Sequence, residues 1–207
     1  VDKKGIYAMF PDDYWEHFYK EFGHDFVDAH YARTAVYESK FFSDLQGKRV
    51  IEAGGYPGLL IAAYILSGID VVCAFDHPDY RPAYYLSWMK EMGIPSIEHN
   101  FNSGYPEGPI PEADVMVMSD VLLHNGGFPT KFIEWALSHV KEIYLINYEG
   151  SGPVLESREF DLKKGFRVPN STAIIAHMHT LGASCSRRDS SADRSLLVFK
   201  PGEPCVP

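Results

Sequence analysis

Cysteine is scarce in this chain. Its 207 residues hold only Cys73, Cys185 and Cys205, with no Cys-x-x-Cys pair among them. An odd number at wide spacing supports neither a disulfide framework nor a thiolate zinc site, and is expected of a reduced, cytoplasmic protein. Long apolar runs are missing as well. The longest, Leu59 to Leu66, is interrupted by Tyr64 and falls well short of the ~20 residues a bilayer span requires, so no membrane partner is expected. Val1 to Gly5 leads into Phe10-Pro11-Asp12-Asp13, without the apolar core of a secretory signal. No repeat or low-complexity stretch occurs. Basic charge is sparse in the middle of the chain, where residues 51–150 carry 4 Lys/Arg against 13 Asp/Glu; the net charge of the whole is −9. A nucleic-acid binder usually presents a basic face, so nucleic acid is disfavoured and a small-molecule substrate is expected.

Aromatic residues, by contrast, are plentiful. With 13 Phe, 13 Tyr and 3 Trp, the chain carries too much apolar surface to stay disordered. A chain of this length buries roughly 70% of its unfolded surface and needs no covalent staple. From Lys48 onward, short apolar runs alternate with helical patterns. Strands are expected at residues 48–53, 69–75, 96–101, 114–119 and 142–147, with helices at 59–67, 82–92 and 130–141 between them. Such alternation means βαβ units and a parallel sheet. After a helix at 170–181, residues 183–190 and 195–200 read as an antiparallel hairpin, which brings the sheet to seven strands. The fold class is therefore α/β: a mostly parallel sheet with helices on both faces and a C-terminal hairpin. Residues 46–207 form its domain, and residues 1–45 a helical cap. In the cap, Tyr14, Trp15, Phe18, Tyr19, Phe22 and Phe26 recur at helical intervals. These rings must pack on the domain or on a second copy of the chain, as a homodimer.

The most informative segment is Val50-Ile-Glu-Ala-Gly-Gly-Tyr-Pro-Gly58, a strand entering a helix through a glycine-rich corner. Such a corner lets a ligand lie on bare backbone at the carboxyl edge of a parallel sheet. Glu52 would repel a phosphate there and suits a ligand with a cationic part. Asp76 closes the next strand, 22 residues after Gly54, where a carboxylate can accept both hydroxyls of a ribose. Together these specify a phosphate-free nucleoside with a positively charged tail.

This segment resembles the first two motifs of the class I, Rossmann-like S-adenosylmethionine-dependent methyltransferases: an acid, one residue and a Gly-x-Gly-x-Gly turn, then an acid ending strand two. The likeness covers roughly residues 46–200 and includes the terminal hairpin. It implies S-adenosyl-L-methionine as cofactor, with Glu52, Gly54, Gly55, Tyr56 and Gly58 around its methionine portion, Asp76 on the ribose and His77 against the adenine. Tyr56 replaces the middle glycine of the motif. The acid often found after strand three appears as Asn100 or Asn102, either able to bond the adenine amino group.

Methyl transfer from a sulfonium needs mainly alignment, with a base where the acceptor is a hydroxyl or an ammonium. After strand four, Asp120 or the Ser119 carbonyl is placed to hold the donor's ammonium. His124 is the candidate general base, since an unperturbed imidazole titrates near ~6.5. Tyr148 and Glu149, after strand five, could position the acceptor. Arg158, Lys163, Lys164 and Arg167 form a basic group that suits an acidic substrate or simply a solvated loop. No metal site is expected: on a helix, His177 and His179 point about 200° apart. Three other readings stay open. A nicotinamide oxidoreductase is opposed by Glu52 and by the absence of Gly-x-Gly-x-x-Gly. A same-fold enzyme could spend the sulfonium by cyclisation or aminocarboxypropyl transfer. A non-enzymatic module could keep the fold with a degenerate site, which Tyr56 favours.

Overall fold

A computed structural model describes residues 2–124, 128–148, 170–190 and 194–202. Its strands form one mixed seven-stranded sheet in which residues 96–98, 70–76, 49–53, 115–119, 142–148, 194–201 and 183–190 lie in that order, with 194–201 antiparallel to both of its neighbours. The chain divides into two compact units, Val1–Glu98 and His99–Pro207.

The first unit opens with helices α1 (Lys3–Tyr7), α2 (Asp12–Phe22) and α3 (His24–Leu45). Asp12 and Asp13 in the first turn of α2 complement the helix dipole, and Gly23 breaks α2 from α3 at φ 80°. Of the aromatic residues on α2 and α3, Tyr14, Phe18 and Phe41 are each at most 1% exposed within this unit, whereas Trp15, Tyr19, Phe22 and Phe26 are half-buried. Strand β1 (Arg49–Ala53) leads through the glycine corner to α4 (Leu59–Leu66); β2 (Asp70–Asp76), a 3-10 turn at Pro78–Tyr80, α5 (Ala83–Glu91) and β3 (Ser96–Glu98) follow. Successive residues of β1 and β2 are buried, which covers both faces of these strands and explains why they read as continuous apolar runs. Strand β3 is half the expected length. His99 remains buried, but Asn100 turns outward and its carbonyl and side-chain oxygens accept from Ser103 and from the Asn102 amide, so a turn replaces the ladder.

The second unit holds β4 (Val115–Ser119), the short α6 (Val121–His124), α7 (Thr130–His139), β5 (Glu142–Tyr148), α8 (Ser171–Thr180), β6 (Ala183–Ser190) and β7 (Arg194–Pro201). Asn170 caps α8, its side chain accepting from the Ala173 amide at 2.9 Å. Strand β7 is buried along Arg194–Phe199, whereas β6 alternates between buried or half-buried and exposed residues, as befits the outermost strand. Among the described residues, no helix is long and apolar enough to cross a membrane.

Candidate functional site

In the first unit the glycine corner is shaped by two residues with positive φ, Gly54 (82°) and Gly58 (87°). Tyr56 is not among them, and this explains how a tyrosine can stand where the motif has its middle glycine. Gly55 is required by space: a Cβ there would lie 2.8 Å from Ile61 Cδ1 and 2.9 Å from Tyr85 Oη. Gly58 is held by both constraints, since a Cβ would meet the Trp88 ring at 2.5 Å. The amide of Gly54 bonds the Phe75 carbonyl at 2.7 Å, tying the corner to the end of β2.

Two buried carboxyl groups flank this corner. Glu52 is 1% exposed, and Tyr64 Oη donates to its Oε2 at 3.1 Å. Its Oε1 has no hydrogen-bond partner among the described residues. Burial pushes the Glu52 carboxyl well above the ordinary range; the Tyr64 hydrogen bond opposes that shift and the nearby Asp76 charge adds to it. Burial thus makes Glu52 harder to ionise than an exposed glutamate, and the cation preference expected of it from its sequence position depends on ionising it.

Asp76 is also 1% exposed, but both of its oxygens have partners. The Tyr56 amide donates to Oδ1 at 3.0 Å, while Tyr85 Oη (3.0 Å) and Ser96 Oγ (2.8 Å) both donate to Oδ2. Burial raises its titration, and these three donors, with Arg81 nearby, pull it back. His77 does a local job: its Nδ1 accepts from the Asp79 amide at 3.3 Å and caps the 3-10 turn, with the ring half-buried. Tyr56 itself joins α2 and α5. Its hydroxyl lies 2.6 Å from Tyr84 Oη, and Tyr84 donates to Glu21 at 3.0 Å. Burial pushes the Tyr84 phenol up to about 12.

The second unit has its own buried charge. Asp120, just past β4, has φ 55°, a left-handed conformation that Asp tolerates better than most residues. Its amide bonds the Ile146 carbonyl at 3.0 Å, and its Oδ2 pairs with the Arg194 guanidinium at 3.3 Å (Nη2) and 3.4 Å (Nε). Both side chains are nearly closed to water, at 11% and 7% exposure. The guanidinium also lies 4.9 Å from the Tyr148 ring centroid, in a cation–π contact. Ser119 is half-buried and Tyr148 buried, while Asn102 is exposed on the turn after β3. His124 ends α6, but its side chain lies outside the described residues, as do Glu149, Arg158, Lys163, Lys164 and Arg167. His177 is half-buried, its Nε2 lying 3.1 Å from Thr130 Oγ1, and His179 is exposed. Among the described residues, no group of three His, Cys, Asp or Glu side chains could hold a metal ion.

Sequence reading missed the partners. Tyr85 carries a signal, standing with Trp88 and Met89 at i, i+3 and i+4 on the buried face of α5. Ser96 carries none. Arg194 reads as an ordinary charge at a hairpin end, and its pairing with Asp120 spans 74 residues.

The donor set of the first unit fits a ribose in kind, with an acid ending β2 and glycines before it. Access does not fit in this conformation, because the chain's own donors already hold Asp76.

No protein-family model and no curated protein sequence matches the chain. Solved structures do. The magnesium protoporphyrin IX methyltransferase of Synechocystis PCC 6803 with bound SAH superposes with a TM-score of 0.62 at 17% identity, over 97% of this chain and 100% of that one. The N-terminal domain of EvdMO1 with SAH bound gives 0.55 at 14% identity, over 82% and 81%. The mitomycin 7-O-methyltransferase MmcR gives 0.56 at 15% identity, over 74% of this chain but only 49% of that one, so the chain spans about half its length. In its seven-stranded order and terminal hairpin, this chain has the fold of the class I, Rossmann-like S-adenosylmethionine-dependent methyltransferases.

Proposed function

We propose that this protein is an S-adenosylmethionine-dependent methyltransferase acting on a small-molecule O- or N-acceptor. The observation that carries the reading is the acid-flanked glycine corner of a seven-stranded sheet, with Glu52 before it and Asp76 ending the next strand. Support for a small acceptor comes from the acidic middle of the chain and from the named reaction of MmcR, an O-methyltransferase. The cofactor would supply an electrophilic methyl group; the protein would supply alignment. In the first unit, the corner of Gly54, Gly55, Tyr56 and Gly58 would take the methionine portion, Asp76 the ribose and His77 the adenine. In the second unit, Ser119 or Asp120 would serve the ammonium, Asn102 the adenine amino group, and His124 and Tyr148 the acceptor. On this reading residues 46–207 are the catalytic domain and residues 1–45 its cap.

A second reading has a specific observation in its favour. The burial of Asp76 behind three donors of the chain suits a module that keeps the fold and binds no nucleoside. Calorimetry with S-adenosylhomocysteine separates the two. Micromolar binding that falls more than tenfold in Asp76→Ala supports the methyltransferase, and silence up to millimolar ligand supports the module. Product masses from an acceptor screen then distinguish methyl transfer from cyclisation or aminocarboxypropyl transfer.

A further inference from the structure

Tyr56 joins the carboxylate of Asp76 to the N-terminal aromatic helix. Its amide donates to Asp76 Oδ1. Its ring packs at 5.9 Å from Phe18 and 6.0 Å from Phe22, both on α2, and at 5.3 Å from Tyr85, whose hydroxyl holds the other Asp76 oxygen. The segment carrying α2 is fastened to the same corner at further points. Tyr14 Oη donates to the Pro57 carbonyl at 2.6 Å, Trp88 Nε1 donates to the Met9 carbonyl at 2.7 Å, and Phe10 stacks on Trp88 at 4.4 Å. Trp88 is the ring that fills the open face of Gly58. The Tyr56–Gly58 part of the corner and the acid that ends β2 are thus in contact with the chain itself.

From this arrangement we infer that residues 9–22 act as an internal competitor for the nucleoside site, and that taking up the ligand is coupled to loosening α2 from the corner. The inference rests on the proposed nucleoside binding and adds its regulation. Asp76 is closed to solvent behind its three donors, Tyr56 on Oδ1 and Tyr85 and Ser96 on Oδ2, so a ribose reaches it only when one of these moves aside. Displacing Tyr56 removes the ring against which Phe18 and Phe22 lie. Linkage then works in both directions: whatever weakens the hold of α2 on the corner must raise ligand affinity by the same factor. Tyr14 is the residue to change, since its hydroxyl fastens α2 to the corner without touching Asp76.

The test uses the full chain, S-adenosylhomocysteine as probe, and calorimetry alongside amide hydrogen exchange. Tyr14→Phe keeps the ring and removes the hydrogen bond to Pro57; it is expected to bind the probe about fivefold or more tightly than wild type. In the wild-type protein, the probe is expected to speed exchange of the α2 amides while leaving those of β4 and β5 unchanged. Equal affinity in the two proteins, or slower exchange in α2 with the probe bound, overturns the coupling and leaves the nucleoside reading intact. Absence of binding in both proteins, with unchanged thermal melting, overturns the nucleoside reading and the coupling together.

Discussion

Two aspartates at the ends of sheet strands, Asp76 and Asp120, are buried by opposite means. Asp76 is satisfied by neutral donors: one amide and two hydroxyls, all within 20 residues of it in the chain. Asp120 is satisfied by a full positive charge brought in from Arg194, 74 residues away. Neutral donors leave no charge behind when they move away, so a ligand able to offer hydrogen bonds of its own can replace them without stranding an ion. A buried guanidinium is different. Removing it strands a charge in a poorly solvated place, so the pair is a fixed part of the second unit. The difference makes Asp76 the more readily exchanged carboxylate and Asp120 the more firmly held one.

Breaking the ion pair should have the largest effect. Arg194→Ala leaves Asp120 buried without its guanidinium and is expected to cost about 3–5 kcal/mol in urea denaturation. The double variant Arg194→Met with Asp120→Asn should recover most of that loss. Should Arg194→Ala melt like wild type, the contrast between the two aspartates fails.

Asp76→Ala comes next. It orphans the Tyr56 amide and the Tyr85 and Ser96 hydroxyls, for an expected loss of about 2–3 kcal/mol. Asp76→Asn, which keeps an acceptor oxygen, should lose about half as much. Equal losses in the two variants would show that charge, rather than hydrogen bonding, matters at Asp76.

Glu52→Gln sharpens the comparison through pH. The folded-state titration of Glu52 is raised well above its ordinary value, so the folded protein holds a proton that the unfolded chain has released above pH ~4.3. Stability from this group is therefore full below the unfolded value and declines as pH rises toward the folded one, by at most ~1.4 kcal/mol per pH unit. Glu52→Gln should remove that decline, making the variant relatively more stable at pH 8 than at pH 5. Parallel curves for variant and wild type would refute the raised titration of Glu52.

Much of the fold was legible because it rests on local patterning. The βαβ rhythm from Lys48 and the C-terminal hairpin follow from hydrophobic periodicity and turn chemistry. Strand β3 was read too long because apolar Phe101 follows it; the outward turn at Asn100 is decided by hydrogen bonds that composition does not display. At the candidate site, Glu52, the glycines and Asp76 stood out because corner and acid occupy fixed places along a strand-turn-helix unit. Tyr85, Ser96 and Arg194 did not, because their roles come from partners met only after folding.

The sequence by itself therefore determined the order of strands and helices, the glycine-rich corner at residues 54–58, and the presence of an acid near the end of β1 and at the end of β2. Tertiary structure alone decided that Glu52 is shut away from water, that Asp76 is already held by three donors, and that aromatic side chains from α2 lie against the corner. The physical reason is range. Backbone conformation and apolar periodicity are set by neighbours a few residues apart, whereas burial and hydrogen-bond partnership depend on which distant segments pack together.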